Sequence, residues 1–102
     1  MNSITTREAL LLAILNDGEK YGRAIRDECD SRAGHKVPLG SLYTTLARME
    51  EKGFVRSRTE ESSVGRGGNR RTYYRIMALG QKALAAYIDR TASVRNLAVG
   101  HV

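Results

Sequence analysis

The sequence has 102 residues, of which 41% are hydrophobic and 27% are charged, and its formal net charge is +6. This length suits one compact domain rather than two, and the composition excludes a disordered or collagen-like chain. The longest apolar run, residues 9–15, is too short to cross a bilayer, and a single cysteine cannot close an internal disulfide, so we expect a cytoplasmic protein that does not span a membrane.

The positive charge is concentrated in the second half of the chain. Residues 1–52 carry eight Lys or Arg and eight Asp or Glu, whereas residues 53–102 carry nine and three. A one-sided basic excess is typical of nucleic-acid-binding proteins. Anionic membranes attract the same pattern, so charge alone does not choose between the two.

A first helix is predicted to begin at Thr5. Thr5 and Glu8 have the spacing of a capping box, in which a hydroxyl and a carboxylate satisfy each other's free backbone N–H groups. Residues 9–15 are apolar on nearly every side, which indicates a central helix. Asn16-Asp17-Gly18 provides the turn that ends it.

Two further helices are predicted before residue 53. Residues 21–33 place Ile25 and Cys29 on one face, and Gly34 is a suitable C-cap. The next helix follows Pro38 and ends at Gly53. Its apolar residues recur at spacings of three and four, at Leu39, Leu42, Leu46 and Met49.

The pattern then changes to two strands and a last helix. Residues 54–59 and 72–76 are rich in β-branched and aromatic residues, and the polar, glycine-containing segment between them predicts an exposed hairpin loop. A fourth helix begins at Ala78. This order predicts an α+β, mostly helical, winged helix-turn-helix, with residues 1–77 as the DNA-binding domain and residues 78–102 as a dimerisation segment.

Several short motifs, in this order and spacing, resemble the PadR-like family of winged-helix transcriptional regulators over residues 6–90. The motifs are Tyr21-Gly22, Gly40-Ser41-Leu42-Tyr43, Leu46, the run from Arg48 to Phe54, Tyr73-Tyr74-Arg75-Ile76 and Leu79-Gly80. The resemblance implies a DNA-binding regulator, most often a repressor, whose last helix builds a homodimer and whose interface can bind a small-molecule effector. Thr44 and Met77 depart from the family, which usually has proline and threonine there.

The resemblance makes the third helix the recognition helix. Its apolar stripe then leaves a set of polar side chains for duplex DNA, and Tyr21 joins them from the start of the second helix. On the recognition helix these are Ser41, Tyr43, Thr44, Thr45 and Arg48. Arg48 can reach either a guanine or a phosphate, and ordinary packing is the alternative for both tyrosines.

The wing is predicted to bind DNA through Arg66, Asn69, Arg70 and Arg71, with Arg56, Arg58 and Arg75 on its strands. An arginine at a flexible hairpin tip can enter a narrow minor groove. A solvated loop whose arginines only aid solubility is the alternative. An acidic protein partner would also suit this wing, whereas RNA would need stacking aromatics, for which Tyr73 and Tyr74 are weak candidates.

The remaining predictions concern dimerisation and chemistry. Leu84, Tyr87 and Ile88 lie on one stripe of the last helix and are predicted to form the dimer, although they could instead close the core of one chain. Nothing in the sequence resembles a nucleophile with its base or a phosphate-binding loop, so no enzyme is predicted. With one cysteine, and His35 and His101 as the histidines, no metal or cofactor is expected.

Overall fold

The computed structural model describes residues 3–61 and 70–98, and within these ranges the chain forms four helices and three strands. The helices are α1 (Thr6–Leu15), α2 (Gly22–Ala33), α3 (Leu39–Glu51) and α4 (Ala78–Ala98), and the strands are β1 (Lys20–Tyr21), β2 (Val55–Glu61) and β3 (Arg70–Ile76). The predicted winged-helix class is confirmed.

Helix α1 is the centre of the core. The Thr5 hydroxyl accepts a 3.1 Å hydrogen bond from the Glu8 backbone, and the Glu8 carboxylate accepts one of 2.9 Å from the Thr5 backbone. The predicted capping box is therefore confirmed. Buried leucine and isoleucine side chains cover most of the helix circumference, at Leu11, Leu12, Ile14 and Leu15.

The turn between α2 and α3 is fixed by backbone geometry and one side chain. Gly34 ends α2 in the left-handed conformation at φ 79°, as its predicted role as C-cap requires. The Val37 backbone N–H then donates a 2.8 Å hydrogen bond to Asp30. Cys29 is buried on α2, and burial raises the pKa of its thiol, so it packs as a small apolar side chain.

The sheet has one strand more than the sequence predicted. The strand order is β1-β3-β2, with antiparallel pairing throughout. Strand β1 adds just two pairs, Lys20 with Tyr74 and Tyr21 with Tyr73. The predicted two-stranded wing is thus corrected to a three-stranded sheet, because a two-residue strand is too short to show any periodicity in sequence.

Helix α4 is anchored at its start and free along its outer half. The Met77 backbone N–H donates a 2.9 Å hydrogen bond to the Phe54 carbonyl, and the Met77 carbonyl accepts one from the Gln81 backbone N–H. Leu84 is 8% exposed and belongs to the core of the single chain. Ile88, by contrast, is 56% exposed. Of the predicted dimer residues, Leu84 therefore has little surface left for a partner.

Three consecutive residues in the first turn of α1 join it to other helices. The hydroxyls of Thr6 and Tyr87 share a 3.0 Å hydrogen bond, and Arg7 donates to the Ser41 hydroxyl. The Glu8 carboxylate forms a 3.0 Å ion pair with the Lys52 ammonium group. Burial raises the pKa of Glu8, but hydrogen bonds from Thr5 and Lys52 outweigh it and hold the pKa below its ordinary value. The first turn therefore contacts α4 and both ends of α3.

Candidate nucleic-acid interface

A basic groove of about 700 Å³ lies between α3, the start of α2 and the wing strand β3. Each element contributes aromatic, hydroxyl or arginine side chains, which supply hydrogen bonds and positive charge. The lining residues are Tyr21, Gly22, Arg23, Tyr43, Arg70, Arg71, Thr72 and Tyr74. Arginines can bind phosphate groups, and aromatic and hydroxyl side chains can contact sugars and base edges, so this mixture suits a nucleic acid.

The structure divides the predicted residues of α3 into two sets. Tyr43, Thr44 and Arg48 are exposed. Ser41 and Thr45 are half-buried, and each hydroxyl makes one hydrogen bond within the chain: Ser41 accepts one from Arg7, and Thr45 donates one of 2.9 Å to the Ser41 carbonyl. Of the predicted residues, a tyrosine, a threonine and an arginine therefore lie on the outward face of the helix.

The wing presents two adjacent arginines in different settings. Arg70 pairs with Glu61 at 3.2 Å, and both side chains are 70% exposed, so the pair is a weak surface contact. The Arg71 guanidinium lies 4.9 Å from the ring centroid of Tyr21, a cation–π distance that orients it. The predicted residues Arg66 and Asn69 lie outside the described residues.

Sequence reasoning missed three residues that line this groove. Arg23 is exposed one residue after the Tyr21-Gly22 pair, and Thr72 and Tyr74 come from β3. Burial, and then the nearby Tyr43 and Glu50, raise the pKa of Tyr74, so it is a neutral phenol. The position of Arg23 beside the motif was the available signal, whereas Thr72 and Tyr74 are assigned to the groove by the pairing of β3.

The described residues show neither a metal centre nor a membrane helix. Across residues 3–61 and 70–98, no three His, Cys, Asp or Glu side chains are grouped as metal ligands would be. In the same ranges, no helix is both long enough and apolar enough to cross a bilayer.

The family model of the transcriptional regulator PadR-like family matches residues 11–86, which is most of the chain. The chain belongs to this family. As a PadR-like protein it is a transcriptional regulator, and its structural relatives are regulators rather than enzymes.

Three solved structures show how far the PadR-like fold extends. A transcriptional regulator from Clostridium thermocellum is 23% identical and has a TM-score of 0.77, with 97% of this chain and 98% of that chain covered. A PadR-like regulator from Bacillus cereus is 26% identical, with a TM-score of 0.72 and 92% of both chains covered. PadR of Bacillus subtilis is 19% identical, with a TM-score of 0.71, 82% of this chain and 47% of that chain covered.

The geometry of this PadR-like chain explains its Tyr21-Gly22 motif. Gly22 is buried beneath the ring of Tyr43. A Cβ atom at Gly22 would overlap the Tyr43 hydroxyl and would lie 2.9 Å from Cε1. A glycine is therefore needed here for close approach rather than for an unusual backbone conformation.

We expect Gly22→Ala to weaken operator binding by up to about tenfold, because the displaced Tyr43 would lose the one phosphate or sugar contact that the sequence predicts for it. The fold should persist, since the clash is with the tip of an exposed side chain. In a Tyr43→Ala background the same substitution should have no further effect. A double-mutant cycle of operator affinities measures this coupling, and fully additive effects would contradict it.

Proposed function

We propose that this PadR-like protein is a repressor that binds duplex operator DNA as a homodimer. Helix α3 would lie in the major groove, and the β2–β3 wing would lie over the neighbouring minor groove. One observation carries the proposal: the exposed Tyr43 of α3 lines the same groove as Arg23 of α2 and Arg70 and Arg71 of β3. The recognition helix and the basic side chains that would bind phosphates are thereby combined on one surface.

The residues in this proposal have different tasks. Arg48 is long enough for a guanine edge or a phosphate, and Thr44 suits close contact in the major groove. Tyr43 can donate its hydroxyl to a phosphate while its ring covers the sugar. Arg71, with Arg66 and Asn69 from the segment that joins β2 to β3 in the sequence, is assigned to the minor groove. Ser41 and Thr45 support the helix from within, as their hydrogen bonds indicate.

A relative of the same fold supports DNA as the partner. The Bacillus subtilis PadR structure described above is a complex with operator DNA. Its fold matches this chain over 82% of the present sequence. The basic excess of residues 53–102 supplies the charge that such a complex requires.

The dimer would be built on α4. Beyond its first turn, where Leu79 is 46% exposed, this helix has large exposed apolar side chains at Ile88, Val94 and Leu97, with 56%, 60% and 78% exposure, and Tyr87 is half-buried. A second copy of the chain would bury these apolar side chains, which a domain of this size cannot bury by itself. Such a dimer would occupy two half-sites about one helical turn apart. A small-molecule effector would act at the same interface.

A titration against a pool of duplex DNA that includes the gene's own upstream region tests the proposal. At two salt concentrations, we expect sequence-selective, salt-sensitive binding with two chains per duplex. Fluorescence anisotropy gives the affinity, and sedimentation gives the stoichiometry. Binding that ignores sequence would contradict the proposal. Absence of DNA binding would favour an acidic protein partner for the wing.

A further inference from the structure

A continuous stack of side chains crosses the outer face of the sheet. The Arg58 guanidinium lies 4.6 Å from the Tyr73 ring, the Tyr73 and Tyr21 rings are 5.8 Å apart, and Arg71 lies 4.9 Å from Tyr21. Glu19 holds the far end, accepting hydrogen bonds of 3.0 Å and 2.8 Å from the Arg58 guanidinium. These five residues are called the arginine–tyrosine stack below.

The register of the sheet explains how the stack forms. Arg58 is paired with Tyr73, and Tyr73 is paired with Tyr21, so the three residues lie on one line across β2, β3 and β1. Arg71 is two residues before Tyr73 on β3, and side chains two apart share a face. The stack therefore connects the wing strands to the short strand that leads into α2.

The joint between wing and body at β1 needs this support. Strands β2 and β3 pair over seven positions, but β1 and β3 pair over two. A two-residue ladder is weak by itself. Tyr21 directly precedes Gly22, on which Tyr43 packs. A wing fixed to Tyr21 is thereby fixed relative to α3.

From this geometry we infer that Glu19 is a positioning residue that holds Arg71 over the groove through the arginine–tyrosine stack. The inference rests on the proposed function and names a residue that sets its specificity. Two hydrogen bonds to the Glu19 carboxylate fix the orientation of Arg58, and the longer 3.3 Å ion pair with Glu60, whose side chain is 58% exposed, adds little to it. Arg58 orients Tyr73, Tyr73 packs on Tyr21, and Tyr21 carries Arg71.

A positioning role and a purely electrostatic role for Glu19 predict opposite changes in operator affinity when Glu19 is removed. If Glu19 did no more than neutralise Arg58, its removal would free a cation and tighten binding to every DNA sequence. If Glu19 positions the wing, its removal weakens operator binding while binding to unrelated DNA stays equal or rises. The ratio of the two affinities therefore separates these roles.

The experiment compares variants on the operator duplex selected in the titration and on a scrambled duplex of equal length. Glu19→Gln removes the charge, whereas Arg58→Lys keeps the charge but loses the planar fork. Glu28→Gln is the matched control, since Glu28 pairs with Arg32 at 2.7 Å on α2, outside the stack. Thermal melts verify that each variant is folded.

We expect Glu19→Gln and Arg58→Lys each to lower the operator-to-scrambled affinity ratio roughly fivefold, the lower end of what one lost sequence-discriminating contact costs, because the misplaced Arg71 no longer matches the width of the minor groove. Glu28→Gln should leave the ratio unchanged. A ratio that Glu19→Gln does not alter, in a wild-type protein that is selective, overturns the inference alone. A wild-type protein without sequence selectivity overturns the proposed function and the inference together.

Discussion

Replacing Arg70 and Arg71 together by alanine is expected to weaken operator binding roughly 50-fold at 0.1 M salt. Both side chains line the groove, and Arg71 is oriented over it by Tyr21. Each lost phosphate contact should lower the slope of log affinity against log salt by about 0.9, so the variant should lose a slope of about two. Titrations at four or five salt concentrations measure both quantities.

A second double variant controls for net charge. Arg90→Ala with Arg95→Ala also takes the formal charge from +6 to +4, but these arginines lie on α4, outside the groove. We expect its salt slope to stay within measurement error of the wild-type slope, with sedimentation verifying an unchanged oligomeric state. Equal losses in the two variants would mean that the protein binds DNA by overall charge, without a defined wing contact.

Gly80→Ala is expected to destabilise the fold by about 2 kcal/mol and to lower the melting temperature by roughly 10 °C at fixed protein concentration. Gly80 is buried where α4 crosses the end of the core. A Cβ atom there would overlap the Phe54 carbonyl oxygen and would lie 3.1 Å from Leu12 and Ile76. That carbonyl accepts from the Met77 backbone, so it cannot move without loosening the start of α4.

The sign of this effect distinguishes packing from helix propensity. In an open helix, glycine to alanine stabilises by up to about 1 kcal/mol. Gly40 on α3 offers that comparison, because a Cβ atom there meets nothing within 4 Å. We expect Gly40→Ala to be neutral or stabilising in thermal and denaturant melts. A stabilising Gly80→Ala would show that α4 is not held against Phe54 as described.

Local signals in the sequence predicted most of the fold. Thr5 and Glu8 marked the start of α1 three residues apart, and Gly34 marked the end of α2 by its need for a positive φ. The predicted apolar stripe of α3 is fully buried at Leu42, Leu46 and Met49, whereas its first member, Leu39, is 44% exposed at the start of the helix. These features depend on residues within one or two turns of each other, which a sequence displays directly.

Features that depend on distant residues were less accessible. The Ser41 hydroxyl accepts a hydrogen bond from Arg7, which is 34 positions away, and no pattern in the sequence indicates this contact. Leu84 lies on the predicted dimer stripe of α4, yet the start of that helix is fixed so closely to Phe54 that Leu84 enters the core. The spacing of apolar residues in the sequence does not predict such contacts, because they depend on how whole helices and strands pack against each other.

The first turn of α1 also limits how the recognition helix can move. Arg7 bonds to Ser41 near the beginning of α3, Glu8 bonds to Lys52 at its end, and Thr6 bonds to Tyr87 on α4. Helix α3 therefore cannot roll about its own axis unless the Arg7–Ser41 or the Lys52–Glu8 bond breaks. In the proposed dimer, a shift of α4 against the second copy would move each DNA-binding surface as a rigid body. The distance between the two surfaces would then change, while the arrangement of side chains within each surface would stay the same.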